Sequence, residues 1–101
     1  MNELTSKQRK TLSAMANGLN PVVIVGGAGV TSNLEEQVLN CLNDHELIKV
    51  KFNEFKDQKA ELSKSIAEKC NAALVRVIGN VAIFYKESDD PDKRQIVLEK
   101  Q

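Results

Sequence analysis

Tryptophan is absent, histidine occurs once, cysteine twice, and the 14 basic side chains are balanced by 14 acidic ones. Each shortage closes a route. Cys41 and Cys70 form neither a Cys-x-x-Cys pair nor a Cys/His ligand spacing, so neither a disulfide framework nor a metal site is expected, and both thiols should be buried or inert. His45 is the lone imidazole, with no serine, cysteine or carboxylate triad legible around it. A histidine at a helix C-terminus, favoured by the dipole there, is the plainer reading. The carboxylates show no pairing suited to acid–base chemistry and no ligand cluster. Apolar runs such as Val22–Val25 fall far short of the roughly 18 residues that span a bilayer, and the polar start Met1–Lys10 lacks an apolar signal segment. The expectation is a cytoplasmic non-enzyme with no catalytic residues, cofactor, metal, membrane association or small-molecule substrate.

What is present is one domain's worth of chain: 101 residues, 42% hydrophobic and 28% charged, enough for a single core. Zero net charge argues against a broad basic field for holding nucleic acid. The zero is uneven, however. Residues 87–101 carry five acidic against three basic side chains, a net of −2, leaving +2 on residues 1–86. Any polyanion site must be a local patch.

Thr5-Ser6-Lys7-Gln8 has the form of a capping box, and Leu12, Met15, Ala16 and Leu19 follow at helical spacing. Gly18 is placed to end this helix in a left-handed conformation. Pro21–Val25 reads as a buried strand. A second capping box, Ser32 to Glu35, starts a helix with Leu34, Val38, Cys41 and Leu42 inward. Leu47–Phe52 alternates, Ile48, Val50 and Phe52 to one side and Lys49 and Lys51 to the other. Asp57 caps a third helix with Leu62, Ile66, Ala67 and Cys70 inward. Ala73–Ile78 and Val81–Tyr85 flank Gly79-Asn80, a type II′ hairpin signal. Arg94–Leu98 is a candidate short strand. The order α-β-α-β-α-β-β predicts an α/β two-layer sandwich, with three helices on one face of a four-stranded mixed sheet. Strict alternation through the hairpin puts Leu74, Arg76, Ile78, Val81, Ile83 and Tyr85 on the open face and Val75, Val77, Ala82 and Phe84 against the helices.

Gly26-Gly27-Ala28-Gly29, between a strand and a helix, offers backbone N–H groups and the positive end of a helix dipole to an anion. Three readings of it stand. Gly27-x-Gly29-x-x-Ser32 imitates a dinucleotide fingerprint but lacks the third glycine and the room for a second half-domain. A purely structural turn is common, and Glu35 and Glu36 would complement the dipole while repelling phosphate. A Gly-x-x-Gly clamp on a nucleic-acid backbone is the third. A P-loop is excluded, because no Gly-Lys-Ser/Thr follows.

The motifs gain meaning in combination. Leu19-Asn20-Pro21, Gly26-Gly27-Ala28-Gly29-Val30-Thr31, His45-Glu46-Leu47-Ile48-Lys49-Val50-Lys51, Val77-Ile78-Gly79 and Tyr85 occur in the order and spacing of the CRM domain family (chloroplast RNA splicing and ribosome maturation). Over about residues 4–86 the chain resembles its bacterial single-domain YhbY-type members. The resemblance implies RNA binding, association with precursors of the large ribosomal subunit, and a fold similar to the C-terminal domain of translation initiation factor three. It implies a CRM-type RNA-binding domain at 1–86 followed by a charged tail at 87–101. It carries the family's GxxG loop onto Gly26–Gly29 and its basic strand onto Lys49 and Lys51. Gly27 and Asn20 stand where many relatives have a basic residue.

The expected RNA-binding set is therefore Gly26, Gly27, Ala28, Gly29 and Thr31 for phosphate, Lys49, Lys51 and Arg76 along the sheet, Tyr85 as a stacking surface, and Lys7 and Lys10 extending the patch from the first helix. The expected partner is ribosomal RNA or a pre-large-subunit particle, bound by a monomer. The alternative is a protein-interaction adapter using the open sheet face without direct RNA contact.

Overall fold

The Thr5 hydroxyl accepts from the Gln8 amide at 3.0 Å, while the Gln8 side chain accepts from the Thr5 amide at 3.0 Å. This reciprocal cap opens α1 (Ser6–Ala16). The computed structural model describes residues 4–98. Across them follow β1 (Val23–Val25), α2 (Ser32–His45), β2 (Leu47–Phe52), α3 (Lys59–Cys70), β3 (Ala73–Ile78) and β4 (Val81–Tyr85), with 3-10 turns at Lys56–Gln58 and Pro91–Lys93. The sheet runs β1-β2-β4-β3, with β1 parallel to β2 and the other pairs antiparallel. The expected three helices, four-stranded mixed sheet and element order are all present.

Several local signals resolve differently. Thr31, in extended backbone, caps α2 by accepting from the Leu34 amide at 3.1 Å, one residue ahead of the Ser32 box. Asp57 lies in the 3-10 turn, and α3 starts after Gln58 with no side-chain cap. α1 ends through Asn17 in right-handed conformation, so Gly18 has no left-handed role. β1 is a three-residue edge strand with Val23 and Val25 buried and Ile24 55% exposed, not a strand buried on both faces.

The larger departure is sidedness. Successive residues of a strand point to opposite faces, and β4 is apolar and buried on both. Ala82 and Phe84 pack with Leu34, Val38 and Leu42 of α2 and Ile66 and Ala67 of α3. Ile83 and Tyr85 pack instead with Leu12 and Ala16 of α1. The helices therefore do not share one face: α1 covers the far side of the sheet. Burying each such large side chain contributes about 1.5–3 kcal/mol, which leaves no stable arrangement with that half of β4 bare. A register shift at Val75 adds a second correction. Leu74 stands opposite Phe84 and Arg76 opposite Ile83, so Leu74 turns to the α2–α3 core and Val75 to α1. The hairpin turn itself behaves as expected, with Gly79 at φ 58° and Asn80 outside the left-handed region.

The segment after β4 folds back without forming a strand at 94–98. Glu46 is the anchor. Its buried carboxylate accepts from the backbone N–H groups of Ser88 (2.6 Å), Gln95 (2.6 Å) and Ile96 (3.0 Å). Ile96 is buried in the same cluster as Tyr85. Glu46 holds φ 62° to do this, a strained backbone that three charge-assisted bonds offset. Glu46→Ala should lower the unfolding free energy by roughly 3 kcal/mol by leaving buried donors unpaired. It should also speed tryptic cleavage at Lys93 and Arg94. Urea denaturation and limited proteolysis check this, and unchanged midpoint and cleavage rate would exclude the anchoring role.

Candidate nucleic-acid interface

Lys49 and Arg76 stand on either side of Ile83 across β4, and Lys51 sits between Ile24 and Val81 one row further along. Register partners share a face, so all three cations project from the α1 side of the sheet, as the alternation predicts. α1 roofs only the portion formed by Leu47, Val75, Ile83 and Tyr85. Beyond it, Ile24 and Ile78 remain 55% and 51% exposed. The open surface is a mixed apolar and basic strip at one end of the sheet. Lys51 and Arg76 are exposed. Lys49 is half-buried, and its ammonium donates to the Leu19 carbonyl at 3.0 Å, tying the α1–β1 connection to β2.

Tyr85 does not join this strip. It is 5% exposed beneath α1 and offers no ring face to a base, because the first helix occupies the space that the single-sided arrangement left open. Burial, then the nearby Glu46 and Glu87 carboxylates, push its phenol up to about 12. Lys7 and Lys10 are exposed on α1, and α1's crossing to the far face puts both on the same side of the sheet as Lys49, Lys51 and Arg76.

The glycine turn lies at the open end. Val25, just before it, pairs with Phe52, and the Phe52 amide donates to the Asn80 carbonyl at 2.7 Å. Glycine turn and hairpin tip thus meet at one edge. The Gly29 amide closes the turn onto the Gly26 carbonyl at 3.0 Å and so does not point at a ligand; Gly27 and Ala28 form the exposed corner. The glycines are not equivalent. Gly29 has φ 75°, and a Cβ there would lie 3.3 Å from the Phe55 ring, whereas a Cβ on Gly26 or Gly27 meets nothing. The Thr31 hydroxyl, accepting from Leu34, keeps its own hydrogen for an acceptor. Glu35, in the first turn of α2, is paired with Lys69 at 3.3 Å, which tempers its repulsion of an anion.

Phe55 escaped the sequence reading. It sits in the polar stretch Asn53-Glu54-Phe55-Lys56-Asp57-Gln58 with its ring against Gly29. An isolated aromatic among charged residues was the available signal. His45 ends α2 and is exposed. Among the described residues no group of three His, Cys, Asp or Glu side chains could hold a metal, and no helix is long and apolar enough to cross a membrane.

The profile of the CRS1 / YhbY (CRM) domain matches residues 4–86. The chain belongs to the CRM domain family. An RNA-binding protein of Haemophilus influenzae is 37% identical over 91 residues, covering 89% of this chain and 92% of that protein. The Bacillus subtilis protein YqeI, named a probable RNA-binding protein, is 34% identical over 96 residues, covering 94% and 98%. The solution structure of SAV1595 from Staphylococcus aureus superposes with a TM-score of 0.77 at 33% identity, over 94% of this chain and 100% of that one.

In this CRM domain Lys51 lies toward the glycine turn, Lys49 and Arg76 sit mid-sheet opposite Ile83, and the tail is held at the start of β2. Gly29→Ala should cost about 1–2 kcal/mol, because its left-handed backbone penalises a Cβ, while Gly27→Ala should stay within about 0.5 kcal/mol. Equal losses in thermal denaturation would show that the turn is not built as described. For Tyr85 the folded phenol holds its proton longer than the unfolded one, which ionises near 10. The Tyr85 contribution to stability should be level below about pH 10 and fall from there toward 12 as the unfolded state alone ionises. Tyrosinate absorbance rising near pH 10 with the fold intact would contradict the buried placement.

Proposed function

We propose that this CRM domain binds ribosomal RNA of large-subunit precursors during ribosome assembly, positioning RNA without turnover. The observation that carries the reading is the alignment of Lys49, Lys51 and Arg76 on one face of the sheet. Lys51 carries this row toward the end of the sheet where the glycine turn leads into α2. Phosphates lie along the cations and at the Gly27–Ala28 corner, with the Thr31 hydroxyl donating to one of them. Lys7 and Lys10 extend the charge from α1. The relatives named RNA-binding proteins support the class of partner, and the large-subunit precursor follows from what membership of the YhbY-type group implies. The domain acts in the cytoplasm as a monomer.

Net neutrality weighs less against this than it did in one dimension. The acidic residues Asp89, Asp90 and Asp92 lie in the segment held at Glu46, at the start of β2. The glycine turn is beside that strand's other end, about 20 Å away over six residues of strand rise. The rival reading, an adapter that docks a protein on the open sheet face, draws on the exposed Ile24 and Ile78 in the same strip as Lys51.

Salt separates the two. Three or four phosphate contacts should give a log–log slope of roughly −2 to −3 for binding to single-stranded ribosomal RNA fragments. Lys51→Ala with Arg76→Ala should flatten that slope by about 1–1.5 without changing the fold, since both side chains are exposed. A flat salt response in the unaltered protein would favour the adapter. Co-sedimentation with ribosomal precursor particles, followed by crosslink mapping, tests the large-subunit assignment.

A further inference from the structure

The chain has four aromatic side chains, three Phe and one Tyr. Phe52, Phe84 and Tyr85 are buried, but Phe55 is 42% exposed. Its backbone is held at φ 57° and ψ 36°, a region that bulky L residues adopt only at a penalty. The segment is nonetheless firmly bonded. The Asn53 and Glu54 amides both donate to the Val25 carbonyl, at 3.0 and 3.2 Å, and the Gln58 amide donates to the Phe55 carbonyl at 3.0 Å. Val25 immediately precedes the glycine turn, so these bonds fix the ring against that turn, in contact range of Gly29. Residues 53–58 line an open depression of about 580 Å³.

A glycine at this position would relax the backbone, and a polar side chain would suit the solvent. A phenyl ring makes sense through what its exposed part can touch. The depression holds Glu54 and Asp57 against Lys56, the wrong balance for a phosphate but no obstacle to an uncharged ring. We infer that Phe55 is the platform on which an unpaired nucleobase stacks while the adjoining phosphate lies at the glycine turn. This rests on the RNA-binding reading and adds a residue that takes the role Tyr85 cannot fill. Base–aromatic stacking tolerates any base, since every base has a π-face.

The absence of tryptophan makes the test direct, because Phe55→Trp places a single indole at the site. With the full chain, single-stranded oligoadenylate should quench the indole emission, and inorganic polyphosphate of matched charge, which has no bases, should bind without quenching. Phe55→Gly suits the left-handed backbone, so it should fold at least as well as the unaltered chain. It should bind oligoadenylate roughly tenfold more weakly at fixed salt, with polyphosphate affinity unchanged. Equal oligoadenylate binding by the unaltered chain and Phe55→Gly, with an unquenched indole, would overturn the platform and leave the RNA reading standing. If the unaltered chain binds neither oligoadenylate nor ribosomal RNA at low salt, both fall together. Should Phe55→Gly fail to fold, quenching in Phe55→Trp decides the matter alone.

Discussion

β4 sits inside the sheet, between β2 and β3, and buries Ala82 and Phe84 on one face and Ile83 and Tyr85 on the other. Ala82 and Phe84 are satisfied by α2 and α3. Ile83 and Tyr85 require a second cover, and α1 with Ile96 of the tail provides it. The two-sided demand of one central strand thus decides where the first helix goes. It also decides how much of the sheet stays open and which cations border the opening. Lys49 and Arg76 straddle Ile83 at the edge of the roof; Lys51 lies beyond it.

The two ends of the sheet consequently differ in character. At the start of β2, Glu46 is buried, conformationally strained and saturated by three backbone donors. That end is consolidated, and the acidic tail is held near it. The other end collects the glycine turn, the Phe55 segment and the hairpin tip, joined by bonds between Phe52 and Asn80 and from Asn53 and Glu54 to Val25. Loops fixed to a rigid scaffold in this way can meet a ligand with little ordering cost. Asp89, Asp90 and Asp92 are kept near the end opposite Lys51, in the segment that Glu46 holds. Attraction over such distances is screened within about one Debye length, near 8 Å at physiological salt.

Lys49 illustrates why a cation's role is not fixed by its face alone. Its ammonium holds the Leu19 carbonyl at 3.0 Å, so it serves the fold as well as the field. Lys51 and Arg76 have no such duty among the described bonds and are the cleaner reporters of ligand contact. The cysteines show a similar economy: burial raises both thiols, with Cys70 packed in the α2–α3 core.

Local chemistry was readable from the chain. The Thr5–Gln8 box, the alternation of Leu47–Phe52, the Gly79-Asn80 turn and the inward stripe of α3 each depend on neighbours within a few residues. Sequence alone therefore determined the element order, the mixed sheet and the common facing of Lys49, Lys51 and Arg76. Family membership was legible through motifs spread along the whole chain. What only tertiary structure decided was which partner each apolar face meets. Two apolar faces on β4 read along the chain as one hydrophobic run, and periodicity cannot tell a solvent-facing tyrosine from one that a distant helix covers. The shift at Val75 moves two side chains to opposite faces with no residue type marking it. Phe55 lay among polar neighbours, and its presentation beside Gly29 depends on bonds to Val25, about thirty positions earlier. Such bonds between distant parts of the chain leave no local imprint, because their energy comes from packing that no short window of residues contains.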